Sequence, residues 1–197
     1  PQRLLFFSIL TILVFLLACG GRNGEDHSDY ILRVGLFDNP TNLDPRTYSD
    51  VASFKIIVQV YDFLVRSDST GSPQPVLAES WEIPSDTVYI FKLHPHVYFH
   101  DGYPLTASDV AYTFQSILDP ALKAPARKSF EIINKISVLD SLTLKIKLKH
   151  PYSPFLSDIQ VGIVPRHIVE NHPTALQRNP VGSGPFKFIS CYTHPLA

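Results

Sequence analysis

Phe99-His100-Asp101-Gly102-Tyr103-Pro104-Leu105-Thr106-Ala107-Ser108-Asp109-Val110 is the stretch on which the reading of the fold turns. Asp101-Gly102 is turn chemistry, an acceptor side chain beside a residue that lacks a Cβ. Thr106-Ala107-Ser108-Asp109 has the form of a capping box with aspartate in place of glutamate, which answers the free N–H groups of a helix start. Beyond it Val110, Phe114, Ile117 and Leu118 fall on one side of a helix, and Asp119-Pro120 ends it. Upstream, Thr87, Tyr89, Phe91 and Leu93 share one face of a strand, and Val97-Tyr98-Phe99 reads as a second short strand. Strand, turn and capped helix in this order predict a mixed packing of sheet and helix.

The flanking segments extend that pattern. Ile133 to Val138 and Leu142 to Leu148 flank Asp140-Ser141 and read as a hairpin. On its second strand Leu142, Leu144, Ile146 and Leu148 face inward, while Lys145, Lys147 and Lys149 form a solvated row. Tyr30 to Phe37 has strand composition and ends in the turn cluster Asp38-Asn39-Pro40. From Val51 the apolar residues Val51, Phe54, Val58, Tyr61 and Val65 repeat at three and four, which predicts an amphipathic helix facing inward along that stripe. Ser49 or Asp50 is its expected cap. The polar cluster Ser67-Asp68-Ser69-Thr70-Gly71 closes the unit as a turn. No internal repeat or low-complexity tract interrupts the chain, and the class is α/β.

Seventeen basic and eighteen acidic side chains in 197 residues leave a net charge of −1, so the chain lacks the basic footprint that nucleic acid requires. The first residues are of a different kind. Leu4 to Leu17 is an uncharged apolar run behind Arg3. As a helix it would extend about 21 Å, short of a hydrocarbon core of about 30 Å, which predicts an export signal over a membrane span. It stops at Leu16-Leu17-Ala18-Cys19-Gly20, which resembles the lipobox of bacterial lipoproteins. That resemblance implies a signal peptide over 1–18 and lipid attachment at Cys19. The polar, glycine-rich residues 19–29 read as a flexible tether. Cys191 is the other cysteine, so a lipidated Cys19 leaves it without a disulfide partner.

Pro75-Val76-Leu77-Ala78-Glu79-Ser80-Trp81-Glu82, the Phe99–Val110 run, Asn42-Leu43-Asp44-Pro45 and Val181-Gly182-Ser183-Gly184-Pro185-Phe186-Lys187-Phe188 stand in one order along the chain. Together they resemble the motifs of the extracellular solute-binding proteins of peptide and nickel ABC importers. The resemblance implies a two-lobed clamp of the type II periplasmic-binding-protein kind, of which this chain would hold an incomplete first lobe and an inserted subdomain. The expected division is 30–48 for the start of the first lobe, 49–154 for the inserted subdomain, 155–188 for the return to the first lobe and 189–197 for a divergent tail. The second lobe would lie outside the chain, as in an N-terminal fragment. Physically these motifs read as structural: a turn at Asp101-Gly102, a cap at Thr106, an apolar anchor at Trp81.

The same resemblance implies ligand contacts in the residues that follow Leu43-Asp44-Pro45, namely Tyr48, Ser49, Asp50 and Val51. There an extended peptide would be held through backbone groups, as in strand addition. The bland alternative is that these residues simply cap and start the next helix. Peptide-binding relatives can carry an aromatic after a proline past Asp119-Pro120, where this chain has Pro125-Ala126. The expected partners are a peptide or other small solute, ABC permease subunits and the lipid anchor, on the periplasmic or extracellular side of the cell envelope. No cofactor and no metal are expected. An alternative lies in His94, His96 and His100, whose H-x-H-x₃-H spacing would suit a nickel- or zinc-binding protein or a metal hydrolase if one strand carried all three on one side. Pro95 and Gly102 oppose an unbroken strand. A truncated product that binds nothing is a further alternative. Ser183 sits in a glycine turn, Glu79 and Glu82 have nothing visible to raise either pKa, and no nucleophile elbow or phosphate loop is present, so no enzyme is expected.

Overall fold

The structure, a computed structural model, describes residues 31–192. The signal segment 1–18, Cys19, the tether 19–29, Tyr30 and residues 193–197 lie outside the described residues. The chain divides into two units, Pro1–Val34 and Gly35–Ala197. Of the first, Ile31 to Val34 is described, as exposed chain without regular structure. The strand expected over Tyr30 to Phe37 does not form: residues 31–36 belong to neither sheet, and Phe37 is fully exposed. Its composition supplies β-propensity, but a strand also needs a neighbour for its N–H and C=O groups, and none pairs with residues 31–37 among the described residues.

The second unit begins its regular structure with helix α1 (Val51–Val60). A small hairpin of β1 (Val65–Ser67) and β2 (Pro73–Pro75) follows, turned at the polar cluster where the Asp68 carboxylate accepts from Thr70 and Ser72. Strands β3 (Ala78–Ser85) and β4 (Val88–Leu93) form the next hairpin. After helix α2 (Ala107–Leu118) and the short helix α3 (Arg127–Phe130), β5 (Ile133–Val138) and β6 (Thr143–Leu148) complete an antiparallel sheet in the order β3-β4-β6-β5. Two further short helices, α4 (Phe155–Asp158) and α5 (Arg166–Val169), lie in the return segment. The second short strand expected at Val97-Tyr98-Phe99 reduces to one bridge between Tyr98 and Pro104.

Alternation did place the sheet's inner face. Tyr89, Phe91 and Leu93 of β4 and Leu144, Ile146 and Leu148 of β6 are buried, and Val110, Phe114 and Ile117 of α2 pack in the same core. Phe114 meets Phe130 edge-on at 5.1 Å, and Tyr89 meets Phe155 at 4.7 Å. Each fully buried ring contributes about 2–3 kcal/mol of transfer free energy. The lysines of β6 stay outside, with Lys147 and Lys149 exposed.

Asp109 joins this core to the return segment. Its Oδ2 accepts from the N–H and the hydroxyl of Thr106, which closes the expected capping box at the start of α2. Its Oδ1 accepts from the N–H of Arg166 at 3.0 Å, so one buried carboxylate starts α2 and positions α5. One turn on, the Thr113 hydroxyl accepts from the N–H of Val164.

A second cluster holds Ile57 and Val60 of α1 against Tyr61, Val164, Val169 and Leu176. Its tightest contact is backbone on backbone. The last carbonyls of a helix lack intrahelical donors, and here Val60 O accepts from Gly184 N and Gln59 O from Phe186 N. A Cβ at Gly182 would stand 2.0 Å from Val60 O, and one at Gly184 would stand 2.7 Å from Val60 C. Both positions therefore require glycine for close approach. Gly182→Ala is expected to cost about 3 kcal/mol or more, because backbone on both sides must move, whereas Gly35→Ala, with nothing within 4 Å, should change stability little. Urea denaturation of the two variants checks the contrast.

Candidate functional site: an apolar concave surface at the start of α1

The segment ahead of α1 is fixed by a buried ion pair. Asp44 and Arg46 are both buried, with Asp44 Oδ1 accepting from Arg46 N and Nε and Oδ2 from Arg46 Nη2. Asn42 Oδ1 accepts from Asp44 N, and Leu43 N donates to Gln177 O. The first motif is thus used up in local geometry, and it delivers Tyr48 to Val51 to the surface.

Asp50 is the cap of α1, one of the two residues expected for it. Its Oδ1 accepts from Ser53 N at 2.7 Å, and its Oδ2 from the hydroxyls of Ser53 and Thr41. Burial pushes its pKa up, but the Thr41 and Ser53 hydrogen bonds outweigh that and hold it at about 2. Ser53 Oγ in turn accepts from the N–H groups of Thr41 and Asn42, which explains why a serine on this helix is buried.

That buried serine corrects the predicted helix face. Ala52, Ser53, Ile57 and Val60 are the buried positions of α1, while Val51 is 71% exposed and Phe54 is 41% exposed. The stripe drawn through Val51 and Phe54 is rotated away from the core. Phe54 instead stacks on Tyr48, ring centroids 5.8 Å apart at 20°. Burial pushes the Tyr48 phenol above its ordinary value, so the ring is neutral.

Tyr48, Ser49, Asp50 and Val51, all four of the positions singled out from the sequence, line one open concavity of about 370 Å³ together with Pro45, Arg46, Phe54, Pro125 and Ala126. Phe54 was missed because its hydrophobicity was read as a core signal. Pro125 and Ala126 are brought here by the turn that precedes α3. Beside the rings, the N–H and C=O of Ser49 and the N–H of Asp50 make no backbone hydrogen bond among the described residues. The site therefore offers unpaired main-chain groups next to an apolar wall, the combination that holds an extended chain.

The three histidines do not converge. His94 closes β4, with its N–H on Leu77 O, and His96 lies in a turn at φ +61°, both exposed. His100 turns inward, its Nε2 2.8 Å from Gly184 O. The turn at Pro95-His96 breaks the strand that would have aligned them, and among the described residues no group of three or more His, Cys, Asp or Glu side chains could hold a metal ion. A smaller concavity of about 220 Å³ lies beside His100, Asp101, Lys187 and Phe188. Two of its charged groups are bonded internally, Asp101 Oδ2 with His167 Nε2 at 2.9 Å and Lys187 Nζ with His100 O, while the buried His100 Nδ1 has no hydrogen-bond partner among the described residues.

Compared with known proteins, residues 72–194 match the family described as "Bacterial extracellular solute-binding proteins, family 5 Middle". The chain belongs to that family. Family 5 relatives include the oligopeptide-binding protein AppA of Bacillus subtilis, 32% identical over 94% of this chain and 38% of AppA. The solved structure of AppA in complex with a nonapeptide aligns with a TM-score of 0.75 at 29% identity, over 80% of this chain and 33% of that one. NikZ from Campylobacter jejuni, solved in complex with Ni(L-His), aligns with a TM-score of 0.72 at 30% identity, over 79% and 32%. The chain spans about a third of the length of the relatives it matches. The fold is that of part of a periplasmic-binding-protein lobe, and the family is one of solute-binding proteins, periplasmic or extracellular, rather than of enzymes.

Removing the cap tests the local account. Asp50→Ala is expected to cost about 1 kcal/mol of stability at neutral pH. Because the folded-state pKa is depressed to about 2, the Asp50 contribution is present above the ordinary aspartate pKa near ~4 and lost as pH falls toward 2. The difference between wild type and Asp50→Ala in acid-unfolding curves should therefore shrink over that window.

Proposed function

We propose that the chain is part of the solute-binding component of an ABC importer and that the complete protein captures oligopeptides or dipeptides for delivery to permease subunits in the membrane. The observation that carries this reading is the Ser49 N–H and C=O and the Asp50 N–H, which have no backbone partner among the described residues, beside the apolar concavity. Main-chain pairing is tolerant of ligand sequence, which suits capture of many peptides by one surface. The likeness to the oligopeptide-binding protein AppA and to the glutathione-binding protein GsiB of Pectobacterium atrosepticum supports a peptide ligand. Ligand binding would bias the complete protein toward a closed clamp by its differential affinity for that state. The test is titration of the complete protein with short peptides, followed by tryptophan fluorescence and calorimetry. Saturable binding of unmodified peptides is expected, with loss of affinity of about tenfold when the ligand's main-chain N–H groups are N-methylated; absence of any peptide binding overturns the reading.

The protein is further proposed to sit on the cell envelope through a lipid on Cys19. The apolar run that ends in Leu16-Leu17-Ala18-Cys19-Gly20 supports this, since two or more acyl chains make anchoring stable. Labelled palmitate should enter the wild-type protein in a bacterial host and be absent from Cys19→Ser, which should leave the membrane fraction.

A further inference from the structure

Of the two ionised residues that line the concavity at the start of α1, Arg46 is neutralised by an ion pair and Asp50 is not. Asp50 keeps its negative charge, with its carboxylate oxygens accepting from the neutral donors of Thr41 and Ser53. Arg46 spends Nε and Nη2 on Asp44 and Nη1 on Ser116. Arg127, next in the chain after Ala126, pairs with Glu131 at 3.5 Å. What faces the site is carbon: the stacked rings of Tyr48 and Phe54, with Val51 on one side and Pro125 and Ala126 on the other. Apolar residues as exposed as Val51 and Phe54, beside backbone groups without a backbone partner among the described residues, form a surface suited to being covered.

We propose that this site selects its ligand by one uncharged aromatic or large aliphatic side chain, seated against the Tyr48–Phe54 pair while the ligand backbone runs along Ser49 and Asp50. The proposal rests on the peptide reading above and adds to it the class of side chain accepted. A glutamate side chain placed here would give up water, meet no free cation because Arg46 is paired with Asp44, and face the negative charge of Asp50. A phenylalanine or leucine side chain would bury apolar area, and a ring would also stack. The volume of about 370 Å³ has room for one such side chain beside the main chain.

The test is calorimetry of the complete protein with alanine peptides of one length, in which each position in turn is Phe, Leu or Glu. At one position Phe and Leu should bind about tenfold tighter than Glu. Phe54→Ala should reduce that ratio to about threefold or less, and Phe54→Leu should restore the preference for the Leu peptide. Phe54→Leu, together with Tyr48→Ala, keeps the test decisive if Phe54→Ala does not fold. Binding of the alanine peptide with no position that prefers Phe or Leu overturns the specificity and leaves the peptide reading standing. A preference that Tyr48→Ala and Phe54→Ala both leave intact overturns it as well, since the side chain is then seated elsewhere. Failure of every peptide to bind overturns both readings.

Discussion

The contact of Gly182-Ser183-Gly184 with the end of α1 is the constraint on which the arrangement of the second unit depends. A helix C-terminus leaves carbonyls without donors, and α1 has its last ones answered from residues more than a hundred positions later, by Gly184 N and Phe186 N. The same turn accepts from His100 twice, Gly182 O from its N–H and Gly184 O at its Nε2. Three separated segments thus meet on one short run of backbone: the end of α1, the turn before α2 and the return segment. Each bond is worth about 1 kcal/mol net. Together they oppose the entropy of closing a loop of this length, which grows only slowly with length. The approach is too close for any Cβ, so glycine is a geometric requirement here and not a flexible hinge.

The quoted motifs turn out to be joints of this kind. Asp44 neutralises Arg46, Asp109 starts α2 and holds Arg166, and Asp101 pairs with His167 beneath the stacked ring of Tyr103. Charged and polar residues that recur in such strict spacing invite a catalytic reading. The carboxylates of Asp44, Asp101 and Asp109 are nonetheless already bonded within the protein itself. A motif of this type identifies the fold and says little about the solute.

Much of the fold was legible because periodicity reports which side of an element is buried. The alternation through Tyr89, Phe91 and Leu93 and the capping box at Thr106 and Asp109 carried their structures in the residues themselves. Two readings failed for opposite physical reasons. Tyr30 to Phe37 has strand composition, but strand formation is a property of a pair, and the described residues supply no partner for residues 31–37. On α1 the apolar stripe pointed the wrong way, because Ser53 is buried for its hydrogen bonds and Phe54 is exposed despite its ring. Hydropathy cannot distinguish an apolar residue that packs in the core from one held ready for a ligand. The position of the candidate site was legible only through the resemblance that pointed to Tyr48–Val51; its apolar character was not.

The electrostatics of that surface limit what it can contribute. A peptide has a charged amine and a charged carboxylate, and either end is recognised best by a desolvated opposite charge. Asp50 is the carboxylate that lines the concavity, and its low pKa records that its oxygens are occupied by Thr41 and Ser53. Releasing it to meet an amine would uncap α1 and strip Ser53 of the acceptor that holds it inside the fold. Arg46 is equally committed, since taking it from Asp44 would leave a buried carboxylate uncompensated. Recognition of a terminal carboxylate must therefore come from residues outside this surface, and an amine would meet Asp50 only as one more donor to oxygens already in use. What the start of α1 can supply is main-chain pairing and an apolar seat, two contributions that do not depend on the length of the peptide or on which end lies nearer.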